Sequence, residues 1–152
     1  MSGLVTPDFV FVGLNCDTPV DVFSTLGGEL HSHGLVTDGY VDALAAREEK
    51  FPTGLPVGCG VAIPHTDAKY VNEDRIVVAT LAKPVEFGAM GGGDPIAVSL
   101  VLMLVLSPAR DHLGVLQRVI KAIQDNSFLE QIVSLTDADE IASLAEAAFD
   151  KD

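Results

Sequence analysis

The strongest constraint on the fold is a long apolar run from Ile96 to Val105, which only Ser99 interrupts with a polar side chain. The run is far shorter than the roughly 20 residues that a membrane-spanning helix needs. Its aliphatic and β-branched residues favour a strand. Because a strand without a polar face needs cover on both sides, the run predicts a sheet with both faces packed against other elements.

Helical and strand patterns alternate along the rest of the chain. Thr18, Pro19 and Asp21 predict the start of a helix, and further helices are expected from about residue 37 to 50 and over residues 111–123. Short strands are predicted over residues 9–12, 61–65 and 76–81. The expected buried stripe of the helix over residues 111–123 is Leu113, Leu116, Val119, Ile120 and Ile123. The predicted fold class is α/β: residues 1–152 as a single layered domain, with a mixed, mostly parallel β-sheet flanked by helices.

Charge and cysteine content limit the partners and the compartment. The 152 residues carry 22 acidic and 9 basic side chains, a formal net charge of −13. This balance argues against nucleic acid and against anionic membrane surfaces, and it would steer a basic protein partner toward the chain. Two cysteines make no disulfide framework, and the N-terminus lacks a secretory pattern. We therefore expect a cytoplasmic protein without direct membrane insertion.

The segment Val61-Ala62-Ile63-Pro64-His65 is the main candidate for chemistry. Proline removes a backbone donor and helps to end the strand, so His65 is presented at the edge of a rigid element. Imidazole is substantially neutral, and hence nucleophilic, near physiological pH. The alternative interpretation of the same pattern is that His65 is structural and is held by a backbone hydrogen bond.

Three other residues fit a site around His65. His112 begins a helix after the apolar strand, and strand ends that gather at one sheet edge would bring it toward His65. Arg47 closes a predicted helix, either as a helix-end cation or as a guanidinium that binds an anion. Asp67 is either an orienting carboxylate for His65 or a turn residue.

Other patterns indicate no cofactor and no metal. His31 and His33 lack further ligands at recognisable spacing, so they are interpreted as a solvated helix end. The triple glycine at residues 91–93 lacks the lysine and spacing of a phosphate-binding loop.

Several segments together resemble one family. Arg47-Glu48, Pro52-Thr53-Gly54-Leu55 and the segment ending at His65 are similar to the fingerprint of the enzyme IIA proteins of the bacterial sugar phosphotransferase system, fructose/mannitol class. The likeness extends from about residue 20 to 149. Phe51-Pro52-Thr53-Gly54 and the later Lys83-Pro84-Val85-Glu86-Phe87 most resemble the galactitol-type branch.

The resemblance implies a phosphotransferase that works through a phosphohistidine. His65 would accept a phosphoryl group from the phosphocarrier protein HPr and pass it to a cysteine of enzyme IIB, for uptake of galactitol or a related polyol. Arg47 would stabilise the added charge, and His112 would donate a hydrogen bond to the phosphoryl group. Thr53 and Asp67 are expected to support the site.

One departure and two alternatives remain at this stage. Thr66 and Asp67 follow the active histidine where many relatives have glycine, and a carboxylate near a phosphorylated histidine is electrostatically unfavourable unless it orients the ring or faces away. One alternative is a regulatory member of the same superfamily that signals through its phosphorylation state. The other is a non-catalytic binding module in which His65 is structural.

Overall fold

The computed structural model describes residues 3–150, which form one five-stranded sheet with helices packed against it. The strands are β1 (Val10–Leu14), β2 (Gly54–Leu55), β3 (Val61–Ala62), β4 (Arg75–Phe87) and β5 (Ile96–Val105). The α-helices are α1 (Pro19–Ser32), α2 (Tyr40–Lys50), α3 (His112–Ile123), α4 (Asn126–Ser134) and α5 (Ala138–Phe149). Short 3-10 helices cover Pro7–Phe9 and Ala68–Tyr70.

The sheet has the order β1-β4-β5-β3-β2. β1 pairs in parallel with β4, and β3 pairs in parallel with β5. The long β4–β5 pairing and the short β2–β3 pairing are antiparallel. The predicted fold class, a layered α/β domain with a mixed sheet flanked by helices, is confirmed.

Alternate residues of β5 enter two separate cores, which explains its apolar run. Leu100, Leu102 and Leu104 pack in a cluster with buried residues of α3, α4 and α5. Val101 and Met103 pack in a second cluster with buried residues of α1 and α2. Because side chains on a strand alternate between faces, a sheet covered on both sides needs an apolar residue at almost every position.

The predicted helix starts at Thr18 and Asp111 are confirmed. The Thr18 side chain accepts a hydrogen bond from the Asp21 backbone N–H, and the Asp111 side chain accepts one from the Gly114 N–H. The predicted burial of Leu113 is wrong, since 64% of this residue is exposed.

The stripe of α3 that packs on the sheet explains why Leu113 is exposed. The fully buried residues of α3 are Val115, Val119 and Ile123, at intervals of four residues. Leu113 precedes Val115 by two positions, about 200° around the helix, and therefore faces away from the core. Leu113 is thus a large apolar side chain on the exposed side of α3.

Three chain segments meet at one edge of the sheet. β3 and β5 run in the same direction, and the start of β4 lies beside the end of β5, where Arg75 pairs with Val105. Beyond β3 the contact continues, because the Leu104 N–H donates a 3.0 Å hydrogen bond to the Pro64 carbonyl oxygen. His65, the residues after β5 and the residue before β4 are therefore neighbours in space.

Candidate functional site

His65 lies directly after the last contact between the β3 segment and β5. Its Nδ1 is 2.9 Å from the Ile63 carbonyl oxygen. A carbonyl oxygen only accepts, so Nδ1 carries the proton of this hydrogen bond. In the neutral ring Nε2 then holds the lone pair, and Nε2 is the nitrogen available as a nucleophile.

The surroundings of His65 favour its neutral form. Burial lowers the pKa of His65 below its ordinary value of 6.5, and the positive charges of Arg47 and His112 act in the same direction. The Ile63 hydrogen bond acts in the opposite direction, but the net shift of the pKa is downward. The ring is therefore neutral and nucleophilic at neutral pH.

A cavity of about 260 Å³ opens beside His65. Its lining residues are His65, Thr66, Leu104, Leu106, His112, Leu113 and Leu116. The four leucines give the cavity a mainly apolar wall, while the two imidazoles supply its nitrogen atoms. The structure thus brings together the two histidines that the strand order predicted to be neighbours.

His112 is the first residue of α3 and is exposed. Its Nε2 lies 2.8 Å from the Ser107 carbonyl oxygen, so Nε2 carries a proton and donates this bond. The loop that follows β5 therefore fixes the ring at the cavity wall.

Arg47 lies in the last turn of α2 with its guanidinium carbon 4.8 Å from the centre of the Phe51 ring. Its charge lowers the pKa of His65, so it acts electrostatically on that ring. A guanidinium stacked on an aromatic face keeps its donors in a fixed plane. Arg47 is placed to attract an anion held at His65.

Thr53 is buried and bound to a carboxylate that the sequence analysis missed. Its backbone N–H and its hydroxyl donate hydrogen bonds of 2.7 and 2.9 Å to the two oxygens of Glu48. Burial raises the pKa of Glu48, and the two bonds from Thr53 oppose that shift. The pattern that identifies Glu48 as buried is its place in a series at four-residue intervals, Tyr40, Leu44 and Glu48, which lie on one buried face of α2.

The hydrogen bond by which Asp67 would orient the His65 ring is made by another group. The Ile63 carbonyl oxygen, rather than the Asp67 carboxylate, accepts the hydrogen bond from Nδ1. Asp67 is exposed and precedes the 3-10 helix Ala68–Tyr70, while Thr66 lines the cavity. Asp67 therefore lies in a turn, which is the second of the two roles that the sequence left open for it.

A second network at the same sheet edge was not anticipated. One oxygen of Asp74 accepts a 2.6 Å hydrogen bond from the Ser107 N–H, and the other accepts bonds of 3.2 and 3.1 Å from Arg110. Burial opposes ionisation of Asp74, but the bonds from Ser107 and Arg110 outweigh it and hold the pKa below its ordinary value. Since Asp74 and Ser107 are far apart in sequence, only the β4–β5 pairing reveals the contact.

The other two histidines, His31 and His33, belong to no metal-binding group within the described residues. Residues 3–150 contain no group of three histidine, cysteine, aspartate or glutamate side chains that is arranged to hold a metal ion. His31 instead pairs with Asp38, at 2.5 Å, and the His33 Nδ1 lies 2.8 Å from the Glu29 carbonyl oxygen. These contacts hold both rings at the end of α1, away from the cavity beside His65.

Comparisons with known proteins place this geometry in a class. The chain superposes on the crystal structure of the mannitol enzyme IIA from Escherichia coli with a TM-score of 0.76, 25% identity and coverage of 92% of this chain and 97% of that one. It superposes on the structure of the complex of mannitol enzyme IIA with phosphorylated mannitol enzyme IIB from Escherichia coli with a TM-score of 0.79 and 25% identity, covering 94% and 97%. The fold is thus that of the enzyme IIA components of sugar phosphotransferase systems.

The family follows from the sequence match. The model of the phosphoenolpyruvate-dependent sugar phosphotransferase system EIIA 2 family matches residues 3–147, so the chain belongs to this family. The galactitol-specific EIIA component of Escherichia coli strain K12 is 29% identical over 128 residues, which are 84% of this chain and 85% of the relative. The resemblance to the fructose/mannitol class is confirmed, and membership associates the chain with phosphoryl transfer in sugar uptake.

Proposed function

We propose that this chain is a cytoplasmic phosphohistidine carrier that receives a phosphoryl group from HPr on His65 and passes it to a cysteine of an enzyme IIB. The sugar is galactitol or a related polyol. The observation that carries the proposal is the hydrogen bond from His65 Nδ1 to the Ile63 carbonyl oxygen, 2.9 Å long, because it leaves Nε2 as the nucleophile beside an open cavity.

The transfer balances with the groups at hand. Nε2 of His65 forms a bond to phosphorus while the bond between phosphorus and the nitrogen of phosphorylated HPr breaks. The phosphoryl group thus passes directly from one protein to the other. The ring gains positive charge as the bond forms, and the Ile63 carbonyl oxygen stabilises the proton that stays on Nδ1. In the next step a thiolate of enzyme IIB attacks phosphorus, and His65 leaves as a neutral imidazole. The leaving group is good because Nδ1 keeps its proton.

Arg47 and His112 act on the charge of the phosphoryl group. The three equatorial oxygens carry most of the negative charge in such a transfer, and catalysis depends on positioning and on stabilising that charge. Arg47 supplies a fixed positive charge, and His112 in its imidazolium form supplies Nδ1–H at the wall of the cavity, because its Nε2–H is bound to Ser107. The leucine side chains limit access of water and so slow hydrolysis of the phosphohistidine.

The surface around the site suits a protein partner. Leu113 is 64% exposed at the cavity and Phe51 is 59% exposed beneath the Arg47 guanidinium. Apolar anchors surrounded by polar residues are typical of protein interfaces. The net charge of −13 adds long-range attraction for a basic partner.

The decisive experiment is intact-mass measurement after incubation with phosphorylated HPr. We expect the mass of one phosphate to be gained by the wild type and by His31→Ala, a control that removes an exposed histidine. His65→Ala should gain none. Phosphorylation of His65→Ala at another residue would contradict the assignment, and a wild type that accepts no phosphate would favour the binding module. Transfer from the phosphorylated chain to galactitol enzyme IIB, compared with mannitol enzyme IIB, tests the sugar.

A further inference from the structure

The proposed mechanism uses His112 but does not explain what holds it in place. Among the described residues, the His112 ring makes one hydrogen bond, from Nε2 to the Ser107 carbonyl oxygen, 2.8 Å long. His112 is exposed, so packing alone restrains it weakly. The orientation of the ring therefore depends on the position of the Ser107 carbonyl group.

Asp74 holds the other main-chain polar group of Ser107, its N–H, which belongs to the preceding peptide bond. The Ser107 N–H donates a 2.6 Å hydrogen bond to one carboxylate oxygen of Asp74. A hydrogen bond to a carboxylate is roughly twice as strong as one between neutral groups. The carboxylate itself comes directly before β4, so the restraint originates in the longest strand of the sheet.

Arg110 closes this arrangement. Its Nε and Nη2 bind the second oxygen of Asp74 at 3.2 and 3.1 Å. The Asp74 side chain is 19% exposed and that of Arg110 is 33% exposed, so solvent screens the pair only partly. The loop between β5 and α3 is thus bound to Asp74 at Ser107 and again at Arg110, and His112 follows within two residues of the second contact.

We infer that Asp74 is a positioning residue for His112, acting through the main chain of Ser107, whose N–H binds Asp74 and whose carbonyl oxygen binds His112. The inference rests on the proposed function for its effect on rate. The chain of contacts also sets the tautomer of His112, because the acceptor at Ser107 requires a proton on Nε2. A neutral His112 therefore has no proton left on Nδ1, and only the imidazolium form donates from Nδ1 to a phosphoryl oxygen.

The test combines ring nitrogen NMR of the unphosphorylated protein with the rate of phosphoryl transfer from HPr. In the wild type we expect His112 to carry its proton on Nε2. Asp74→Ala should give a mixture of tautomers and slow transfer by about tenfold, the order of loss that follows from misplacing a group near the reacting atoms. Asp74→Asn keeps an oxygen acceptor for the Ser107 N–H and should recover most of the tautomer preference and of the rate.

Two controls separate positioning from a general loss of structure. Asp17→Ala removes another paired carboxylate, the partner of Lys83 at the opposite edge of the sheet, and should change neither measurement. Asp74→Ala combined with His112→Ala should be no slower than His112→Ala alone, because both changes remove the same contribution. If Asp74→Ala does not fold, Arg110→Gln, which loosens the Asp74 carboxylate, takes its place, and Asp74→Asn remains the conservative comparison.

The outcomes that overturn the inference are distinct from those that overturn the proposed function. Additive rate losses in the double variant, or an unchanged His112 tautomer in Asp74→Ala, would refute the positioning role. A wild type that accepts no phosphate would refute the proposed function. In that case the tautomer of His112 in Asp74→Ala still decides whether Asp74 controls this ring.

Discussion

At the scale of single residues, the site depends on two imidazoles whose protons are assigned to opposite nitrogens. His65 donates from Nδ1 to Ile63, and His112 donates from Nε2 to Ser107. The lone pair of His65 is consequently on Nε2, where the cavity gives access to a phosphoryl donor. Arg47 disfavours the protonated form of this ring, and in the proposed mechanism it has a second effect, which is to attract the phosphoryl anion that the ring would carry.

Replacement of Arg47 should separate these two effects. In Arg47→Ala the pKa of His65 is expected to rise toward its ordinary value, because a positive charge that disfavours the imidazolium is removed. Transfer from HPr should nevertheless slow by on the order of tenfold or more, because the charge of the phosphoryl group loses its stabilisation. NMR titration and transfer rates measure the two effects. Lys50→Ala, an exposed cation in the same helical turn, is the control, and a faster Arg47→Ala would exclude the proposed role.

The pH dependence of transfer should follow the titration of His65. The neutral ring is the nucleophile, and its pKa lies below 6.5, so on the acid side the rate is expected to fall as the His65 ring is protonated. Transfer rates between pH 5 and pH 8 check this. A rate that declines with an apparent pKa above 7 would show that another group controls the step.

At the scale of elements, buried contacts between α2 and the segment leading into β2 hold Arg47 near His65. The Glu48 carboxylate binds both donors of Thr53, and β2 then pairs with β3, which leads to His65. The sequence predicted α2 and the importance of this loop, but it did not predict strand β2 or the buried state of Glu48. A two-residue strand has no hydrophobic period of its own and forms only because β3 lies beside it.

Stability should reveal the buried state of Glu48. The pKa of Glu48 is raised in the folded state. The free energy of unfolding of the wild type, relative to that of Glu48→Gln, is therefore expected to be highest at low pH, below the ordinary pKa of 4.5. That advantage should shrink as pH rises through the folded-state pKa, where a buried carboxylate must ionise. Urea unfolding at several pH values measures the difference. Glu49→Gln, an exposed neighbour, should show no such trend; an equal trend in both variants would refute the assignment.

The turn before β3 should tolerate no side chain at Gly60. This glycine has a φ of +81°, and a Cβ there would overlap the Ala97 carbonyl oxygen. Gly60→Ala is therefore expected to lower the free energy of unfolding by about 1–3 kcal/mol or more. Gly92→Ala has a similar φ of +96° with open space around it, so it isolates the effect of the overlap. Equal losses in urea unfolding would show that backbone conformation alone matters.

At the scale of the whole molecule, the sheet topology collects residues that the sequence keeps apart. Strand β5 and its cover on both faces could be predicted from the apolar run, and the meeting of His65 with His112 from the order of strand ends. The contact of Asp74 with Ser107 and Arg110 could not, because it requires the antiparallel register of β4 against β5. Over the described part of the chain, no helix is both long enough and apolar enough to cross a membrane.

Net charge should control how fast the chain meets its partner. With 22 acidic and 9 basic residues, the molecule attracts a basic protein over several ångströms, and salt screens that attraction. The second-order rate of transfer from HPr is expected to fall by on the order of tenfold between low and high ionic strength. Stopped-flow measurement over a salt series checks this, with unfolding curves in the same buffers as the control. A rate that is independent of salt would exclude electrostatic steering.

Both imidazoles are oriented by main-chain acceptors, at Ile63 and at Ser107. A substitution at either position changes the side chain but leaves the carbonyl oxygen in the chain. Alanine scanning at residues 63 and 107 therefore does not detect the hydrogen bonds that orient the two rings. Both carbonyl groups precede a proline, Pro64 and Pro108, so neither peptide bond carries an N–H. Replacing either carbonyl oxygen with sulfur, as a thioamide, would weaken the acceptor and expose these contacts. The orientation of both rings is therefore set by the path of the main chain, and the side chains at these two positions can change without altering it.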